Sequence, residues 1–181
     1  MHNFDLNNRT AVVTGGAQGF GYAIVKRFLA SGANVVIWDI DKKFINISLK
    51  EANSEKLSYQ IVDITNHDEI KKNFAELSSK HKIDIFVNNA GVAGLNDKVW
   101  NYPNEEWLKV INTNLNSTFY CCKTVIPHMI ENNYDDLITI EPNFKRSGSV
   151  RIFKYKFLLN IMLQDSNQSH NLALALNFLK F

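Results

Sequence analysis

The chain has 181 residues, 45% hydrophobic and 21% charged, enough for one sizeable globular domain with a buried core. A net charge of +2 on scattered basic residues, with no stripe or run, argues against nucleic acid as a partner. No apolar run reaches membrane-spanning length, the N-terminal MHNFDLNNRT lacks a signal-peptide core, and the two cysteines, Cys121 and Cys122, are adjacent and without zinc-ligand spacing. These features predict a cytoplasmic protein with no metal site and no disulfide framework.

In chain order, strand-like runs alternate with helical patterns. TAVVTG (10–15) reads as a buried strand, and residues 20–31 as a helix with Ala23, Ile24, Phe28 and Leu29 on one face. NVVIWD (34–39) is a second strand entered through the Gly32 turn, followed by a helix over 42–52. LSYQIVD (57–63) is a third strand, and Asn66 caps a helix to about residue 80 with Ile70, Phe74 and Leu77 inward. IDIFVNN (83–89) is a fourth strand. A loop with Gly91, Gly94 and Pro103 leads to a long helical region over 104–132, with Pro127 a place for a bend. LITI (137–140) completes a βαβαβαβαβ series. That order predicts an α/β, doubly wound parallel sheet with helices on both faces and right-handed crossovers. The domain reading is 1–140 for the sheet and 141–181 for a tail without clear periodicity, apart from a helical pattern over 172–181.

Chemistry enters at the first strand's end. Gly15, Gly19 and Gly21 have the spacing G-x-x-x-G-x-G, which is neither G-x-G-x-x-G nor the Walker form. A strand that ends in such a turn and opens a helix can bring backbone N–H groups and a positive dipole end to a pyrophosphate. The alternative is a tight turn with no ligand. Asp39 ends the second strand 18 residues after Gly21. A carboxylate there can accept from both hydroxyls of an adenosine ribose and would repel a 2′-phosphate, which favours NAD over NADP. Lys42 and Lys43 lie nearby, and the alternative for Asp39 is a solvated strand end. A methyltransferase-type fold shares these two features, but the motifs below argue against it.

TGGAQGFG (14–21), VDI (62–64), NNAG (88–91) and NTNL (112–115) stand in the order and approximate spacing of the short-chain dehydrogenase/reductase family. The helix text EEWLKVINTNLNSTFYCCKTVIPHM (105–129) also resembles that family, and the resemblance covers about residues 5–134. Its nearest subgroups resemble 3-oxoacyl-carrier-protein reductases and NAD-dependent sugar or secondary-alcohol dehydrogenases. The resemblance implies a Rossmann-like fold with strand order 3-2-1-4-5, and hydride transfer between nicotinamide and a small alcohol or carbonyl substrate. It implies that Gly15, Gly19, Phe20 and Gly21 meet the pyrophosphate side of NAD, and that Asp39 and Ile40 meet the adenosine. Asp63 would bond the adenine amino group with Ile64 against the ring, and Asn88, Asn89, Ala90 and Gly91 would line the cofactor. For Asp63 a helix-leading carboxylate is the alternative, and for the asparagine pair a simple turn. Asn114 matches the family's helix asparagine, which holds a kink and a water in the proton relay; a helix residue satisfied by backbone is the alternative.

The family's Ser and Tyr-x-x-x-Lys are not found after Asn114. Tyr120, Tyr134 and Tyr155 are followed four residues later by Thr124, Ile138 and Leu159. Tyr22 and Lys26 have the spacing but sit on the first helix. Glu141 and Pro142 stand where the serine is expected, and Ser147 and Ser149 receive no role. The text therefore reads as a fold truncated after the fifth strand, with a frame-shifted or otherwise altered ending from about Asp135. The competing reading is a non-catalytic dinucleotide-binding domain. A homo-oligomer is compatible with the resemblance, although the family interface is incomplete.

Overall fold

The computed structural model describes residues 5–132 and 136–139. Strands and helices alternate as β1 (Thr10–Thr14), α1 (Gly19–Ala30), β2 (Asn34–Asp39), α2 (Lys42–Ala52), β3 (Leu57–Ile61), α3 (His67–Ser78), β4 (Ile85–Asn88), α4 (Asn104–Ile111), α5 (Ser117–Glu131) and β5 (Asp136–Thr139). The five strands form one parallel sheet in the expected order β3-β2-β1-β4-β5.

All five residues of β1 are buried, as befits a strand covered on both faces. Its side chains alternate between two cores. Ala11 and Val13 join Val35, Ile37, Ile85 and Val87 against α1 and α2, through Val25, Phe28 and Ile45. Val12 joins Val36, Trp38 and Phe86 against α3 and α5, through Ile70, Phe74, Val125 and Met129. Trp38 is thus fully buried, with the Phe86 ring edge-on at 5.5 Å. Pairing of Thr14 with Trp38 and of Val13 with Val87 brings the carboxyl ends of β1, β2 and β4 together where the strand order reverses. Open α/β sheets place ligands at this switch point.

Helix starts are locally encoded. Asn66 Oδ1 accepts from Asp68 and Glu69 N–H, and Asp41 Oδ1 accepts from Lys43 and Phe44 N–H. Other details depart from expectation. The buried stripe of α1 is Gly21, Tyr22, Val25 and Phe28; Ile24 and Leu29 are partly buried beside it, and Ala23 is exposed. Ala23 lies about 200° around the helix from Val25, so it cannot share that face. β3 closes at Ile61 rather than at residue 63, and β4 spans Ile85–Asn88 rather than 83–89, although Ile83 and Asp84 are buried. The long helical region continues through Pro127; its irregularity is a wide π-helical turn at Asn112–Asn116.

β5 spans 136–139 where 137–140 is expected. The proposed division at residue 140, the tail 141–181, and Tyr134, Glu141, Pro142, Ser147, Ser149 and Tyr155 lie outside the described residues.

Candidate functional site

The glycine loop is built by close approach. Gly15 has φ +62°, and a Cβ on it would stand 2.9 Å from Ala90 Cα. A Cβ on Gly21 would overlap the Gly15 carbonyl oxygen and lie 2.6 Å from Asn89 Nδ2. α1 therefore begins hard against the ends of β1 and β4. Gly19 has φ +55° and open space around it, and Phe20 beside it is exposed. Gln18, which precedes α1, makes no side-chain capping bond, and the first turn of α1 carries no acidic residue. α2 and α3, by contrast, are side-chain capped. The α1 N-terminus thus keeps backbone donors that no side chain satisfies, which suits an anion.

Asp39 is partly buried at the end of β2. Its Oδ2 accepts from Ala17 N–H at 3.1 Å and its Oδ1 from Asp41 N–H at 3.0 Å. Gly15 N–H donates to the Trp38 carbonyl at 2.7 Å. The glycine loop and the β2 terminus are therefore one bonded unit, with Ile40 exposed just beyond. Asp63 lies after β3, where its Oδ1 accepts from Thr65 N–H and Oγ1 at 2.9 and 2.7 Å. Ile64 is 9% exposed and belongs to the core on the α3 and α5 side.

Thr14 organises the NNAG segment. Its Oγ1 donates to the Val87 carbonyl at 3.2 Å and accepts from Asn89 and Ala90 N–H at 2.9 and 3.0 Å. Asn89 Nδ2 donates to the Thr14 and Gly15 carbonyls at 3.0 and 3.2 Å. Asn88 is buried with its Nδ2 3.6 Å from Cys122 Sγ. Gly91 follows on the exposed side. Asn114 sits inside the π turn and bridges to Val92 in both directions, Nδ2 to the carbonyl and Oδ1 from the N–H, each at 2.8 Å. The Asn114 carbonyl accepts from Thr118 Oγ1 at 2.9 Å. So the structure gathers Gly15, Gly21, Asn89 and Ala90 through direct contacts and joins Asp39 to the same loop through Ala17, with Gly19 on the open side of that loop. Asp63 and Ile64 stand after β3, and Asn114 reaches the segment beyond Gly91 through Val92. Thr14, Ala17 and Val92 are not singled out by the sequence reading. A hydroxyl at the end of an otherwise apolar strand was the available signal for Thr14; the other two act through backbone, which sequence does not mark.

Tyr22 and Lys26 are structural. The Tyr22 hydroxyl donates to the Ser48 carbonyl at 3.1 Å, tying α1 to α2, while Lys26 pairs with Glu51 at 3.4 Å. Burial, aided by the Glu51 charge, raises the Tyr22 phenol above its usual range. Both cysteines are buried free thiols on α5. Burial pushes Cys122 up to about 11, with the Asn88 amide opposing, and pushes Cys121 further. Among the described residues there is no His/Cys/Asp/Glu group suited to a metal, and no helix is long and apolar enough to cross a membrane.

The family model for short chain dehydrogenases matches residues 9–156 of this chain. A 3-oxoacyl-(acyl-carrier-protein) reductase of Chlamydia trachomatis serovar D is 38% identical over 150 residues, which cover 80% of this chain and 59% of that protein. The 2-dehydro-3-deoxy-L-rhamnonate dehydrogenase (NAD(+)) of Sphingomonas sp. strain SKA58 is 30% identical over 151 residues, covering 81% and 59%. Among solved structures, an actinorhodin polyketide ketoreductase with NADPH is similar at a TM-score of 0.71 and 26% identity, covering 80% of this chain and 57% of that one. The chain spans 59% of the length of both curated relatives.

Proposed function

Because the chain belongs to the short-chain dehydrogenase family, whose members bind nicotinamide dinucleotides, we propose that it binds NAD in preference to NADP across the carboxyl ends of β1, β2 and β4. We propose further that it is part of an oxidoreductase acting on a small alcohol or carbonyl compound, in the cytoplasm. The observation that carries this reading is the uncapped first turn of α1 standing beside the Asp39 carboxylate, the two joined through Ala17 N–H at 3.1 Å.

The residues present fit the group. Gly15 and Gly21 let the loop pack directly on Ala90 and Asn89, and the Cβ position of Gly19 faces open space, so a pyrophosphate on that side would meet backbone rather than a side chain. Gly19, Phe20 and Gly21 would hold it by N–H donation, while Gly15, whose N–H is taken by the Trp38 carbonyl, shapes the turn beneath it. Asp39 accepts from the adenosine ribose hydroxyls and opposes a 2′-phosphate, with Ile40 alongside. Asp63 and Ile64 take the adenine side, and Asn88, Asn89, Ala90 and Gly91 the nicotinamide side. Thr14 fixes the backbone of Asn89 and Ala90 for that purpose. The bound nicotinamide supplies hydride transfer. Asn114 keeps the π turn and the Val92 backbone in register beside it, the place from which the family's proton relay is held.

A second reading is favoured by one fact: no Tyr-x-x-x-Lys occurs in residues 115–181. Loss of a positioned general acid costs about 10²–10⁴ in rate. On this reading the chain binds the dinucleotide without appreciable turnover. Titration with NADH, followed by nicotinamide fluorescence or calorimetry, tests the shared claim, and absence of binding by folded protein overturns both readings. A turnover assay over alcohols and ketones then separates them.

A further inference from the structure

We propose that Asp39 is also the strut of the glycine loop, so that ribose selection and pyrophosphate binding depend on a single carboxylate. This deepens the dinucleotide reading and rests on it. Gly15 N–H ties the first residue of the loop to the Trp38 carbonyl at 2.7 Å. The middle of the loop is tied by Ala17 N–H to Asp39 Oδ2 at 3.1 Å. Ala17 is 4% exposed and packs in the core between the sheet and α1, so the donor side of this part-buried bond is shielded from competing water. On its other oxygen Asp39 accepts from Asp41 N–H at 3.0 Å, and Asp41 in turn caps α2. One carboxylate therefore fixes the loop on one side and the start of α2 on the other.

The capacity of the group permits this double duty. An ionised carboxylate offers about four acceptor positions. Two are filled by Ala17 and Asp41, which leaves about two for the two ribose hydroxyls. Strut and clasp operate together, and the strut is in place before any ligand arrives.

The consequence differs from a charge-only account of Asp39. If the carboxylate merely repels a 2′-phosphate, Asp39→Ala removes the repulsion and the variant gains NADPH. If it is a strut, the same substitution releases Ala17 N–H, the loop loses its shape, and the pyrophosphate shared by both cofactors is bound less well. Asp39→Asn keeps a single acceptor oxygen for which Ala17 and Asp41 compete, so its loop follows whichever donor wins.

The test uses the full chain as wild type, Asp39→Ala and Asp39→Asn. Each is checked for fold by thermal unfolding, titrated with NADH and with NADPH, and measured for hydrogen exchange at the Ala17 amide without ligand. The expectation for Asp39→Ala is faster Ala17 exchange, NADH affinity reduced about tenfold to a hundredfold, and NADPH affinity reduced as well. Asp39→Asn is expected to bind NADPH more tightly than wild type if its Ala17 amide stays protected, and less tightly if that protection is lost. Unchanged Ala17 exchange in Asp39→Ala, or tighter NADPH binding by either variant with an unprotected Ala17 amide, overturns the proposal. Wild type that binds neither cofactor refutes the dinucleotide reading instead, while the exchange comparison still decides whether Asp39 braces the loop.

Discussion

Gly21→Ala is expected to destabilise the fold even though it places a better helix former in α1. Helix propensity alone favours alanine by about 1 kcal/mol. The new Cβ, however, overlaps the Gly15 carbonyl oxygen and stands 2.6 Å from Asn89 Nδ2 and 2.8 Å from the Gly15 carbonyl carbon. Two of those atoms are backbone and cannot swing away. The Asn89 amide can move only by giving up its bonds to the Thr14 and Gly15 carbonyls. Overpacking of this kind costs about 1–3 kcal/mol, and a disturbed amide bond adds about 1. The net loss is about 2 kcal/mol, or about 4–8 °C in melting temperature for a chain of this size. Gly19→Ala is the control. It meets no atom within 4 Å and bears only the strain of φ +55°, so it costs about 1–2 kcal/mol. Circular dichroism melts of the three proteins decide the matter. A Gly21→Ala protein that melts at or above wild type refutes the claim that α1 starts in steric contact with β1 and β4.

Thr14→Val keeps the shape of the side chain but strands Asn89 and Ala90 N–H, at a cost of about 2–4 kcal/mol, while Thr14→Ser stays within about 1 kcal/mol of wild type; urea midpoints distinguish the two. Tyr22→Phe loses the bond to the Ser48 carbonyl and about 1 kcal/mol of stability without changing NADH affinity. A large affinity loss in that variant would contradict the structural role of Tyr22. Cys122 has its thiol raised from 9.0 to about 11 in the fold, so its contribution is complete below pH 9 and is lost as pH rises through 11, by about 1.4 kcal/mol per pH unit in that window. Urea melts of wild type and Cys122→Ala at pH 8, 9 and 10 should converge as pH rises, and parallel curves would contradict that burial.

The strands were legible because buried parallel strands write themselves as short apolar runs, AVV, VVI and IFV among them, while their order was expected from the family resemblance. The Asn66 cap was legible because donor and acceptor lie within three residues. The glycine loop and Asp39 were legible as residue types, together with their order along the chain.

What needed the tertiary structure is every relation between residues far apart in sequence. Thr14 meets Asn89 and Ala90 across 75 and 76 positions, and Asp39 meets Ala17 across 22. Nothing local distinguishes Ala23 from Tyr22 as the buried neighbour; the Ser48 carbonyl on α2 fixes Tyr22 inward and turns Ala23 to solvent. The π turn likewise has no proline to announce it, and Asn114 bonds across to Val92 from within it. Sequence alone determined which elements form, since backbone propensity and side-chain periodicity act over a few residues. The folded chain decided which polar groups meet, because hydrogen bonds are made at about 3 Å and only the packing of helices on the sheet brings those partners within reach.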